Sequence, residues 1–186
     1  MQNPDSSSQK EAPNITLIGM AGVGKSVIGK KLAEVLCYQF IDIDERIEEK
    51  FGLKLQEVLD RFGDQRFLKI EEQTILELGP IHRAVISPGG SAVYSKKAMT
   101  FLKSHSVLVF LDAPFETIKK QIPNLDSRGI VWHKKKDLSL LFQERRPLYR
   151  AFADITIAMP AKSHPDVIVR EILRKTNLNP DVAKRT

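Results

Sequence analysis

A chain of 186 residues, 42% hydrophobic and 28% charged, is long enough for one domain with a full core and has an ordinary soluble composition. Its single cysteine, Cys37, excludes a disulfide framework and reads as a buried structural thiol beside Val35 and Leu36 in a reducing compartment. The net charge of +6 is spread along the chain, apart from Lys134-Lys135-Lys136 and the terminal Lys184-Arg185. With no basic stripe interleaved with aromatics, it speaks for small anionic substrates rather than nucleic acid. No apolar run approaches a membrane span and no signal-peptide pattern is visible, so a cytoplasmic monomer without membrane contact is expected.

Residues 1–13 are polar, with three consecutive serines from Ser6, and read as a disordered tail. A domain over 14–176 is expected to follow, then a polar tail over 177–186. Asn14-Ile15-Thr16-Leu17-Ile18 is a short β-prone run, and Ile28, Leu32, Val35 and Leu36 recur at helical spacing. Between them stands Gly19-Met20-Ala21-Gly22-Val23-Gly24-Lys25-Ser26, which is G-x-x-x-x-G-K-[ST], the phosphate-binding loop in its strand–loop–helix setting. Glycines let the backbone wrap an anion with its N–H groups turned inward, and the helix that follows presents its positive end. ATP phosphates would lie on Gly22, Val23, Gly24, Lys25, Ser26 and Val27. Lys25 would reach the β- and γ-phosphates and the Ser26 hydroxyl would sit on Mg²⁺.

A second strand is expected over 38–42, ending at Asp42. Residues two apart in an extended segment face the same way, so Asp42 and Asp44 would both face the cleft beside the phosphate loop. The other reading of Asp44 is a helix cap. Helical stretches over 44–50 and 54–61 come next. Gly63 then opens a longer helix with Phe67, Ile70, Thr74 and Leu78 on one face, stopped by Gly79-Pro80. This insertion before the third strand, 84–87, reads as an acceptor-binding region spanning 44–80. A helix covers 95–103, a buried strand covers 106–111, and Asp112-Ala113-Pro114 caps the next helix. The pattern is lost over about 122–137, which reads as a mobile loop. Helix resumes over 137–146, a short strand lies at 154–157, and His164-Pro165-Asp166 caps a terminal helix. The fold class is α/β: a three-layer P-loop fold, about five parallel strands with helices on both faces, and ligands beyond the strands' carboxyl ends.

The phosphate loop, Phe40-Ile41-Asp42-Ile43-Asp44, the stretch from Gly63 to Glu72, the stretch from Ser87 to Val93, Arg128, and Glu144-Arg145-Arg146-Pro147-Leu148-Tyr149 together resemble the shikimate kinase family over about residues 14–175. The resemblance implies a kinase of nucleoside-monophosphate-kinase-like fold. It would move the γ-phosphoryl group of ATP to a hydroxyl of shikimate, in aromatic amino acid biosynthesis. It implies that Asp42 helps hold Mg²⁺ through water and that Asp44 binds the acceptor hydroxyl as candidate base. Arg128 would close over the transferring phosphoryl group as part of a lid over 122–137. Gly89 and Gly90 would approach the acceptor, Arg145 would grip its carboxylate, and Lys162 would belong to the loop that brackets adenine. A tight turn at Gly89-Gly90 and a solvated arginine at 128 are the competing readings. A different hydroxylated metabolite, or a non-catalytic nucleotide-binding protein of this fold, are the alternative functions.

Two positions depart from the family pattern. Leu68 stands where a second carboxylate-binding arginine is expected, while Glu71, its orienting partner, is kept. One arginine instead of two weakens carboxylate binding by about 2 kcal/mol. Ser91 replaces the third of three glycines and is expected to add a side chain where the family leaves room for the acceptor.

Overall fold

The computed structural model describes residues 13–122, 129–132, 136–161 and 164–179. In chain order the elements are β1 (Asn14–Ile18), α1 (Lys25–Leu36), β2 (Gln39–Asp42), α2 (Ile43–Phe51), α3 (Leu55–Leu76), β3 (Ala84–Ser87), α4 (Lys96–His105), β4 (Ser106–Asp112), α5 (Phe115–Gln121), α6 (Leu138–Phe152), β5 (Ile155–Ala158) and α7 (Pro165–Thr176). A short 3-10 turn, Ala92–Tyr94, precedes α4.

The five strands form one parallel sheet in the order β2-β3-β1-β4-β5. From β1 the chain crosses toward β2, and from β3 it crosses back toward β4. Right-handed crossovers therefore place α1 on one face and α3, α4 and α6 on the other. The packing agrees: α1 lies against β3 and α7, whereas α4 lies against α3 and β4. The expected three-layer architecture is thus present. Both faces being covered, β1 is buried along its whole length, its polar Asn14 and Thr16 included. β4 is buried from Leu108 to Leu111, which is why it reads as a continuous apolar run rather than an alternating one. Neighbours β1 and β3 send their connections to opposite faces, so a crevice opens between their carboxyl ends.

At the opposite edge of the sheet Asn14 ties three segments together. Its amide nitrogen donates to the carbonyls of Ile81 (2.7 Å) and His105 (2.8 Å), and its oxygen accepts from the Ala84 N–H (2.9 Å).

Several local expectations change. Cys37 is exposed, because it occupies the left-handed position (φ 55°) that ends α1 and turns away from the core. Gly63 lies inside the 55–76 span at φ 73°, ψ 165°, so two helical segments meet there at a kink. The fully buried face of the second segment carries Glu71 and Ile75 beside Phe67 and Thr74, while Ile70 and Leu78 pack against the core only partly buried. α6 runs on through Pro147 to Phe152 because Leu141, Arg145 and Tyr149 give it a buried stripe at four-residue spacing. Asp112 caps nothing; it ends β4 and pairs with Arg146 (2.8 Å) and Arg150 (2.8 Å), while Pro114 holds the cap position of α5. No described helix is long and apolar enough to cross a membrane. Of the expected tails over 1–13 and 177–186, residues 1–12 and 180–186 lie outside the described residues.

Candidate active site

The loop after β1 is shaped by Gly19, Gly22 and Gly24, with φ of 149°, 79° and 99°. Gly22 also has no space to spare, since a β-carbon there would come within 2.7 Å of Ile122. Lys25, first residue of α1, is buried, and its Nζ donates to the carbonyls of Gly19 (3.0 Å) and Met20 (3.2 Å). Burial lowers its pKa, opposed by the Asp44, Asp42 and Glu71 carboxylates. The Ser26 hydroxyl donates to Asp42 Oδ2 at 2.7 Å. That contact brings the end of β2 to the start of α1.

Asp42 and Asp44 come together by a different route from the one expected. The chain leaves the strand after Asp42, and Ile43 already begins α2. Asp42 is the helix cap, its Oδ1 accepting from the Asp44 N–H at 3.0 Å. Asp44 lies in the first turn and enters the pocket from there. Its pKa is raised to about 7 by burial first, then by the Glu71 and Asp42 carboxylates, against the pull of Lys25.

The pocket is lined by Asp44, Gly89, Gly90 and Arg145, with Ala21 of the phosphate loop on one side and Leu55, Phe67, Ile130 and Val131 supplying apolar walls. The two glycines are required by close approach. A β-carbon on Gly89 would collide with Glu71 Oε1 and stand 2.7 Å from Asp44 Oδ1. One on Gly90 would stand 3.2 Å from the Ala21 nitrogen and 3.4 Å from Arg145 Nη1. Arg145 is only 1% exposed. Its Nε donates to Tyr94 Oη (3.2 Å) and its Nη2 to the Val131 carbonyl (2.9 Å), and the guanidinium lies over the Tyr94 ring. Tyr149, one turn further along α6, donates to the Gly90 carbonyl at 2.6 Å and so fixes the glycine turn to the same helix. The segment 129–132 closes one side: the Gly129 N–H donates to Gln56 Oε1 (2.9 Å) and the Trp132 N–H to Asp64 Oδ1 (2.8 Å).

The sequence expectations thus meet around one crevice: Gly22, Val23, Gly24, Lys25, Ser26 and Val27 on the phosphate loop, with Asp42, Asp44, Gly89, Gly90 and Arg145 beside it. Val23 is buried and Val27 exposed. Arg128, Lys134, Lys135 and Lys162 lie outside the described residues. Ser91 also lines the pocket, and its hydroxyl donates to Glu71 Oε2 at 2.6 Å. Tyr94, Val131 and Tyr149 were missed as supports. Only Tyr149 had a sequence signal, its four-residue spacing from Arg145 on one helix.

The family model for shikimate kinase matches residues 21–177. The chain belongs to the shikimate kinase family. Shikimate kinase of Persephonella marina is 36% identical over 160 residues, covering 86% of this chain and 96% of that protein. A solved structure of Acinetobacter baumannii shikimate kinase in complex with shikimate superposes with a TM-score of 0.81 at 30% identity, covering 90% of this chain and 96% of the other. The Aquifex aeolicus shikimate kinase structure gives 0.74 at 32% identity, covering 88% and 96%. The resemblance read from the motifs is therefore borne out at the level of family and fold. As a shikimate kinase family member the chain is an ATP-dependent small-molecule kinase, and its phosphate loop meets the pocket of Asp44, Gly89, Gly90 and Arg145 in the crevice between β1 and β3.

Proposed function

We propose that this kinase transfers the γ-phosphoryl group of ATP to a hydroxyl of shikimate or a closely related small hydroxylated acid. The observation that supports this reading most is the pocket in which Asp44, Gly89, Gly90 and Arg145 converge against Ala21 of the phosphate loop. An acceptor held by Arg145 would lie beside both the phosphates and a carboxylate suited to take its proton. As the acceptor oxygen bonds to the γ-phosphorus, its proton passes to Asp44 and the bond to the bridging oxygen of the departing ADP breaks. Asp44, raised toward neutrality, is matched to that transfer at working pH. The rest of the rate enhancement would come from positioning and charge neutralisation.

The loop N–H groups and Lys25 would hold the triphosphate. Ser26 Oγ and Asp42 Oδ2, 2.7 Å apart, are hard oxygen donors of the kind Mg²⁺ takes alongside phosphate oxygens and water. They fit that ion, which supplies positive charge on the β- and γ-phosphates when bound. Arg128 and Lys162 keep, in this proposal, the lid and adenine-side roles that the resemblance implies. A cytoplasmic monomer serving aromatic amino acid biosynthesis is part of the same proposal.

The test is ADP release and product mass with MgATP and shikimate, for wild type and Asp44→Asn. The variant should lose about 10²–10⁴-fold in kcat while binding ATP as wild type does. A wild type that binds MgATP but phosphorylates no hydroxylated acid would remove the acceptor assignment. Unchanged turnover in Asp44→Asn would remove the base.

A further inference from the structure

Behind the acceptor pocket lies a carboxyl group that no cation hydrogen-bonds among the described residues. Glu71 is wholly buried. Its Oε2 accepts from the Ser91 hydroxyl at 2.6 Å, and its Oε1 has no hydrogen-bond partner among the described residues. That oxygen faces Gly89, the residue against which Asp44 also packs. A buried carboxylate ordinarily takes a guanidinium or ammonium group. On α3 the positions one turn either side of Glu71 are Phe67, Leu68, Thr74 and Ile75, and none is charged. Arg145 and Lys25 act on Glu71 through space, but their hydrogen bonds go to Tyr94 and Val131 and to the Gly19 and Met20 carbonyls.

We propose that Ser91 takes the place of a second cation in this site, and that this sets the acceptor specificity. By satisfying one oxygen of Glu71, Oε2, with a neutral hydroxyl, Ser91 lets position 68 be leucine. Among the described pocket residues Arg145 is then the single guanidinium available to the acceptor. Its Nε and Nη2 are engaged, and the Nη1 edge is the one turned toward Gly90. One partly engaged arginine grips a carboxylate loosely compared with a two-arginine clamp. The site therefore takes hydroxylated acceptors with little preference between a carboxylate and a neutral group at that end. Ser91 acts through Glu71 and is a positioning residue rather than a catalytic one. This inference rests on the acceptor reading above and narrows it.

The experiment compares kcat/KM for shikimate and for its methyl ester, a neutral analogue of the same ring. The panel is wild type, Ser91→Gly, Leu68→Arg and the double variant. Wild type should prefer the acid by less than roughly tenfold, about 1.4 kcal/mol. The double variant should raise that preference at least about tenfold through a lower KM for the acid alone. Leu68→Arg by itself should fall short of it, because Ser91 still occupies Oε2 and leaves only Oε1 to orient the arginine. A wild-type preference above tenfold, or a single variant equal to the double, overturns the proposal. Melting curves test the pair without any acceptor. Ser91→Ala should lower Tm by about 2–6 °C with Glu71 present, and by less than about 1 °C in the Glu71→Met background. Equal losses in the two backgrounds also overturn it. If neither acid nor ester is turned over, the acceptor assignment fails, and the melting cycle alone decides whether Ser91 holds Glu71. Should the double variant not fold, the wild-type ratio and the melting cycle still decide.

Discussion

The Glu71 carboxyl takes hydrogen bonds from Ser91 and the Ala92 backbone and feels Arg145 and Lys25, yet burial outweighs them all and raises its pKa. A group that holds its proton more tightly folded than unfolded makes the fold lose stability as pH rises. The loss begins near the ordinary carboxylate value and is complete above the folded one. Glu71→Gln keeps the shape and has no charge to bury. Its Tm relative to wild type should therefore climb as pH rises above the ordinary carboxylate value of about 4, and melting both proteins across a pH series checks it. A difference that shrinks as pH rises would mean that Glu71 is stabilised as a carboxylate. At Asp44 the same physics would serve the proposed chemistry, since there the raised pKa belongs to a group that opens on the pocket.

Among the elements, the start of the sheet and its far end do separate work. Asn14 joins the segments at Ile81, Ala84 and His105 at the amino ends of the strands, whereas the phosphate loop and Asp44 lie beyond the carboxyl ends. Asn14→Ala leaves an N–H and two carbonyls without these partners. The cost should be about 2–4 kcal/mol, lowering Tm by about 5–12 °C, with kcat of the folded protein nearly unchanged. Thermal melts and kinetics measured below the transition would show both. A comparable loss of kcat would mean that the two ends of the sheet are coupled. Much of this architecture was legible in the sequence because its signals are local: glycine spacing fixes the phosphate loop, apolar runs mark buried parallel strands, and Asp42, Asp44 and Arg145 sit in short motifs. What was not legible depends on which side of an element tertiary packing selects. Helical periodicity on α3 pointed to Ile70, which packs against the core only partly buried, while the fold wholly buries the neighbouring Glu71. Asp42 reads as strand from its neighbours, but its side chain also ends that strand by capping α2. The partners of Arg145 come from Tyr94 and Val131, 51 and 14 residues away in sequence, and no local pattern announces them. Asp112 looked like a cap and is claimed by Arg146 and Arg150 from α6.

Across the whole molecule, the nucleotide and the acceptor are expected to bridge parts of the chain that the sheet holds side by side. The phosphate loop follows β1, Asp44 follows β2, Gly89-Gly90 follows β3, and Arg145 comes from α6 packed on β4. A ligand that touches several of these binds the folded chain and not the unfolded one, so it must raise the melting temperature. At 100 times its dissociation constant MgATP should add about 2.7 kcal/mol. For a chain of this size that corresponds to a rise of about 5–11 °C. Lys25 carries the charge for that contact, and replacing a hydrogen bond to a charged phosphate costs about 1.5–3 kcal/mol, or roughly 10–150-fold in affinity. Lys25→Ala should therefore fold and show about half of the rise or less at the same MgATP concentration, while also losing phosphoryl transfer. Differential scanning fluorimetry across a MgATP titration separates the two proteins directly. A rise in wild type that Lys25→Ala reproduces in full would place the nucleotide somewhere other than the phosphate loop.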